Sequence, residues 1–382
     1  MRKRHWPEYD PVGIRYGSWM FTPSLTVSPY YDSNVFSSNV NKRSDFVTGV
    51  NPNLHAQTLW ERHGIDLQFD SKSLFYAQNP GLNQTDATFK GAAHYDISRS
   101  TSILTSWQIA HLNEGVGTLS SPSGAVAPTP YNLFSGDVTV RQEFNRLTAS
   151  GGARVDSYQW GTTHAQDGST IDQSNRDGQI YAGHSRLDYA VSPKLDIFSA
   201  VEINRRDIRG NPGQPFGSDG YRVWSGSVVE LTHLITGEFA LGYAGQHFDS
   251  PLNPNIQGAI YRAILRWSPT RRIEVNFTTE RMVTQTADTS VQSLYATLYK
   301  LGTDYELRRN MILSLSGTFE DDRFQQGDAR HDNVYAADAA LKYALNPFAS
   351  ISLWYRYIHR ASSLPLTGYD RQQVGIDVKA QF

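Results

Sequence analysis

The sequence predicts an all-β membrane protein, an antiparallel up-and-down barrel of about 18 strands with short turns at one end and longer loops at the other. Three observations carry that prediction. Strand-length segments alternate apolar and polar residues, short turn sequences recur about every 40 residues with polar loops between them, and aromatic residues gather where the apolar rows meet the short turns.

Composition sets the frame. The 382 residues are 39% hydrophobic, 12% aromatic and 19% charged, with a mean hydropathy of −0.47. No run of ~18 apolar residues occurs, which excludes a membrane-spanning helix. Hydropathy is blind to a barrel strand, because lipid-facing and lumen-facing residues average out as hydrophilic. A formal net charge of −2 gives no electrostatic case for a nucleic-acid partner. The chain has no cysteine, so disulfides and thiolate metal sites are excluded, and no cofactor is expected.

Turns come next. The short ones are Glu61-Arg62-His63-Gly64, Ser98-Arg99-Ser100-Thr101, Asn145-Arg146, Ser192-Pro193, Ile235-Thr236-Gly237, Pro269-Thr270-Arg271, Arg308-Arg309-Asn310 and Asn346-Pro347. Between them lie loops rich in Gly, Pro, Asn, Asp and Ser, such as 116–130, 162–177, 210–220 and 325–332. Each 40-residue unit supplies two segments of ~10–14 residues, too long for propeller blades. Nine hairpins follow, from a first strand near Trp19 to a last strand ending at Phe382. Misreading one hairpin would make the count 16. Closure is required in either case, because unpaired backbone groups in hydrocarbon cost several kcal/mol each. Residues 1–18, with Pro7, Pro11 and Gly13, are expected to form a periplasmic tail or plug, and residues 19–382 the barrel. The basic start lacks the apolar stretch of a signal peptide. A barrel in the bacterial outer membrane is therefore expected to have lost its export signal already.

The strands alternate as a barrel wall requires. Met311, Leu313, Leu315, Gly317 and Phe319 share one face, while Ser314, Ser316, Thr318 and Glu320 share the other. Leu195, Ile197, Val201 and Ile203 oppose Asp196, Glu202, Asn204 and Arg206. A soluble sandwich alternates equally well, so the aromatics decide. Trp60, Tyr95, Phe144, Tyr189, Trp267, Tyr305 and Tyr343 stand beside the short turns, at the level where a bilayer interface selects amphipathic rings. The final strand alternates up to Phe382, the terminal aromatic that resembles the signal read by the barrel-assembly machinery. That machinery and outer-membrane lipid are the expected partners.

On the inner rows the alternation places charges of both signs, among them Arg186, Arg206, Arg222, Arg262, Arg266, Arg356, Glu202, Glu230 and Glu274. They serve either to pair across neighbouring strands or to order a polar solute. Phe198, Trp224 and Trp354 fall on the same rows, either stacking on sugar rings or filling space against an inserted segment. His94 with Asp96, and His184 with Arg186 and Asp188, share faces, but no Gly-x-Ser-x-Gly elbow marks a serine. No metal-ligand spacing stands out. No catalytic, cofactor-binding or metal residues are assigned, and the chain is not expected to be an enzyme.

A resemblance refines this reading. The stretches Pro7-Glu8-Tyr9-Asp10-Pro11-Val12-Gly13-Ile14-Arg15, Tyr31-Asp32-Ser33-Asn34-Val35-Phe36, Asn204-Arg205-Arg206-Asp207 and Ser218-Asp219-Gly220-Tyr221 resemble the putative β-barrel porin 2 family, over nearly the whole chain. The departure is Ser28-Pro29-Tyr30, where a glycine-containing strand end is more typical. The resemblance implies an outer-membrane channel serving exopolysaccharide secretion, with the polysaccharide and periplasmic export proteins as partners. Two alternatives stay open: a general or sugar-uptake porin, and a plugged structural anchor for export machinery or surface polysaccharide.

Overall fold

The computed structural model describes residues 6, 8–118, 120–122, 124–211, 216–251, 253–285, 293–325, 330–365 and 367–382. The basic start, residues 1–5, lies outside them, as do parts of the loops expected at 116–130, 210–220 and 325–332. The first strands are β1 (Ile14–Tyr16), β2 (Trp19–Asp32), β3 (Asp45–Thr58), β4 (Gly64–Tyr76), β5 (Gln84–Asp96), β6 (Thr101–Glu114), β7 (Thr129–Phe144) and β8 (Leu147–Trp160). Two short strands follow, β9 (Thr162–His164) and β10 (Thr170–Asp172), then β11 (Gly178–Ser192), β12 (Leu195–Ile208), β13 (Ser218–Thr232) and β14 (Ile235–Phe248). The chain ends with β15 (Ile256–Thr270), β16 (Ile273–Gln285), β17 (Ser293–Arg308), β18 (Met311–Phe324), β19 (His331–Asn346), β20 (Ala349–Ser362) and β21 (Tyr369–Gln381).

Eighteen long strands form one antiparallel meander that closes on itself, which resolves the count in favour of 18 over 16. Closure comes from β2 against β21, with Ser24 opposite Gln381 and Asp32 opposite Gln373. Below that seam β21 has ended, and β1 takes its place, pairing Ile14 with Phe21 and Tyr16 with Trp19. The Phe382 N–H donates to the Pro23 carbonyl at the junction. Part of the segment expected as tail or plug therefore extends the sheet.

Two turns lie displaced from expectation. Residues 233–234 make the turn expected at Ile235-Thr236-Gly237, and residues 271–272 make the one expected at Pro269-Thr270-Arg271. In both cases the strands keep hydrogen bonding past the turn-forming residue types. Asn145 supplies a positive φ of 53° in the turn after β7, which asparagine tolerates better than most residues. The loop 161–177 carries the β9–β10 hairpin, which its polar composition did not suggest.

The wall is inside out relative to a soluble protein. On β12, Ile197 and Ile203 are 47% and 62% exposed, while Glu202 is 7% exposed. Leu241, on β14, is 73% exposed. A continuous ring of exposed apolar side chains is unstable in water and requires lipid. Among the described residues, buried apolar packing gathers only locally, as where Leu294 meets Phe324.

Candidate functional site

The polar inner face is built by strand parity. Because the exposed apolar rows fix which residues face outward, Arg186, Arg206, Arg222, Arg262, Arg266, Arg356, Glu202, Glu230 and Glu274 fall on the opposite rows, toward the lumen. Many are tied to neighbours. Arg222 donates to Glu202 at 2.8 Å, and Arg154 lies 3.9 Å from the same carboxylate and 3.1 Å from Asp156. Arg186 grips Asp188 two residues along its own strand at 2.7 Å. Arg266 lies 3.7 Å from Glu274, and Arg356 bonds Asp338 on β19. Glu230 meets His233 in the turn at 2.7 Å. Arg262 stands exposed on the inner row, opposite Glu280 in register.

The three inward aromatics have different fates. Phe198 is 4% exposed, with the Arg186 guanidinium 3.7 Å from its ring centre. It departs from the expectation of glycan contact, because its face is already covered by a cation. Trp224 is half-buried with Arg222 4.9 Å from its ring. Trp354 donates from Nε1 to Asp377 at 2.9 Å and packs against Tyr30 at 5.4 Å. It lines a lumenal cavity of about 670 Å³ together with Arg356, Lys72, Lys300 and Tyr76.

Loops roof that cavity. Gly115, Val116 and Pro128, from the loop after β6, reach it alongside Val35 from the loop after β2. Two contacts hold the β6–β7 loop, and a third holds the neighbouring loop before β11. Arg360 of β20 donates to the Gly117 carbonyl at 3.4 Å. Glu114, the last residue of β6, receives a bidentate pair from Arg176 of the loop before β11, whose guanidinium also stacks 3.3 Å over Trp160. Val126 N–H donates to the His164 carbonyl in the β9 hairpin. The loop thus links elements far apart around the circumference. Sequence reasoning missed Glu114, Arg176 and Arg360, whose partners are set by loop folding and not by strand parity.

His184 lies 3.7 Å from Asp137 and 3.0 Å from Thr139 Oγ1, so its polar neighbours are an acid and a threonine. On the outer wall, Trp60, Tyr95, Phe144, Tyr189, Trp267, Tyr305 and Tyr343 are all exposed toward the short-turn end. His63 stacks on Tyr95 at 4.5 Å, and Phe382 meets Phe348 at 5.4 Å. Tyr181, Tyr221, Tyr243 and Tyr335 are exposed toward the loop end. The same alternation that marked the lower set would have found them.

A closed 18-strand wall, exposed apolar outside and charged within, defines a porin-like β-barrel of the bacterial outer membrane. The chain matches the family model described as Putative beta-barrel porin 2 over residues 6–382 and belongs to that family. Among solved structures it is similar to Pseudomonas aeruginosa OccK1 (OpdK), at 9% identity over 95% of this chain and 99% of that one, with a TM-score of 0.50. P. aeruginosa OccK3 (OpdO) aligns at 12% identity over 95% of each chain, with a TM-score of 0.48. Acinetobacter baumannii OccAB3 aligns at 10% identity over 95% and 99%, with a TM-score of 0.47. The likeness is one of fold. A comparison with curated proteins finds no match.

Proposed function

We propose that this barrel is a passive channel for small polar solutes, sugars among them, and performs no chemistry. The observation that carries this reading is the inward-folded β6–β7 loop, held by Arg360–Gly117 and Val126–His164 above a polar cavity. A loop across the lumen narrows the bore to the scale of a small molecule. A secreted polysaccharide would need that loop displaced along the whole polymer's passage, so the exporter role implied by the family resemblance is the less favoured reading. Trp354, half-buried beside the cavity with Arg356 and Asp377, offers a ring face and polar groups to a passing sugar.

The purified barrel in a planar bilayer is expected to give steady ohmic conductance, and swelling of sugar-loaded vesicles should follow solute size. A silent bilayer would favour the plugged anchor. Loss of polysaccharide secretion on gene deletion, with sugar uptake unchanged, would restore the exporter. Glu114→Gln frees Arg176 and loosens the 161–177 loop whose His164 holds Val126, and is expected to raise conductance and current noise; unchanged traces would show that these loops do not set the bore.

A further inference from the structure

The outer wall carries a cation that stands apart from the channel reading. Arg281 lies on the row of β16 that also holds Ile273, Val275 and Phe277, facing lipid. It sits opposite Tyr261 on β15 and Thr297 on β17, four residues short of the loop-side end of its strand. Its guanidinium stacks 4.7 Å from the Tyr295 ring, and its Nε is buried without a hydrogen-bond partner among the described residues. Beside it the Tyr261 and Tyr299 hydroxyls meet at 3.1 Å, and the Tyr295 hydroxyl is held by the Gln257 carbonyl at 2.6 Å.

The other arginines on the outer rows make the contrast. Arg205 is tied to Asp249 at 2.7 Å and Asp219 at 3.1 Å, and Arg323 to Asp321 at 3.0 Å. Each carries its own counter-charge. Arg281 has no carboxylate within ion-pair distance among the described residues. A charge on a lipid-facing row is costly unless it is paired or reaches the interface. The environment on that side offers one abundant anion, the headgroup of a lipid.

We propose that Arg281, with the Tyr261–Tyr299 hydroxyl pair and the Tyr295 ring, binds the phosphate of a phosphorylated glycolipid in the outer leaflet. The guanidinium fork suits a phosphate. The hydroxyl pair has a second donor to offer, and the rings pack on sugar or the first acyl carbons. The assignment needs only that this face meet the outer leaflet, and it stands apart from what the lumen conducts.

The test is lipid retention by the full-length barrel in detergent, read by native mass spectrometry with bisphosphorylated lipid A, its dephosphorylated form and inorganic phosphate as probes. The phosphorylated lipid should bind at about one per barrel. Arg281→Gln should weaken it about tenfold, while Arg205→Gln leaves it within about twofold. Arg281→Met, better suited to hydrocarbon, gives the same answer should the glutamine variant fail to fold, with folding checked by heat-modified gel mobility. Equal binding by the dephosphorylated lipid, or undiminished binding by the folded Arg281 variants, would overturn the site. Competition by millimolar inorganic phosphate would overturn the lipid assignment in favour of a free-anion site.

Discussion

Two sectors of the lumen solve the same problem differently. Along β7–β13 the inner rows carry arginine and no lysine, and Arg141, Arg154, Arg186 and Arg222 each lie within 3.1 Å of a carboxylate. Along β4–β5 and β17–β21 the inner rows carry Lys72, Lys90, Lys300, Lys342 and Lys379, none ion-paired to a described residue. An arginine fork locks onto a carboxylate in a fixed plane, whereas a lysine ammonium is a mobile point charge on a flexible stem. The first sector is a neutralised, rigid wall. The second has locked arginines too, Arg356 with Asp338 and Arg371 with Asp32, but adds lysines free to follow a solute, and it also holds Trp354 and most of the lumenal cavity's lining. The difference teaches that mixed charge in the composition hides a spatial division of labour.

The largest effect should come from the rigid sector. Glu202→Gln strips the carboxylate shared by Arg222 and Arg154 and is expected to cost about 1–3 kcal/mol in urea unfolding from micelles. Lys300→Gln, in the other sector, should stay within about 0.5 kcal/mol. Equal costs would erase the distinction. Next in size, the triple change Lys300→Gln, Lys342→Gln and Lys379→Gln should shift the zero-current potential in a salt gradient toward cation preference. A permeability-ratio change of about 1.5–2-fold is expected, with screening over about 8–10 Å limiting it. The same measurement on Arg186→Gln should move in the same sense but less, because one positive charge is removed instead of three.

Smallest is a pH effect at the outer edge of the rigid sector. Asp249, in the loop after β14, is held below the usual carboxylate range chiefly by the Arg205 hydrogen bond, with the Arg205 charge adding to it. A carboxyl lowered in the folded state gives stability that is complete above its unfolded pKa and lost as pH falls through the lowered value. Thermal midpoints of wild type and Asp249→Asn should therefore differ slightly at neutral pH and converge under acid. A gap that persists well below the normal carboxylate range would deny the pair its role.

The sequence made the wall legible because a period of two, once its outward side is known, assigns every strand residue to lipid or lumen. Parity alone puts Glu202, Arg222 and Trp354 on the inner rows. Turn positions were less legible: Ile235 and Thr270 belong to strands although their neighbours are turn formers. The state of the lumen was not legible at all. It depends on Glu114 meeting Arg176, 62 residues on, and on Arg360 reaching Gly117 across 243 residues. Loop contacts of that range leave no periodic trace. Phe198 shows the same limit, since parity pointed it inward but only packing revealed Arg186 on its face.

The seam has a consequence for how the molecule is made. Joining β2 to β21 brings together side chains as far apart as Asp32 and Arg371, 339 positions along the polypeptide. A chain that lacks either strand owns only one side of that zipper, so sealing waits until both are in place, and contacts of such long sequence separation are slow to form. The lower end of β2 is satisfied by the neighbouring hairpin arm, Ile14–Tyr16. That short arm leaves the incoming terminus a defined stopping place at Pro23, setting the register in which the cylinder shuts.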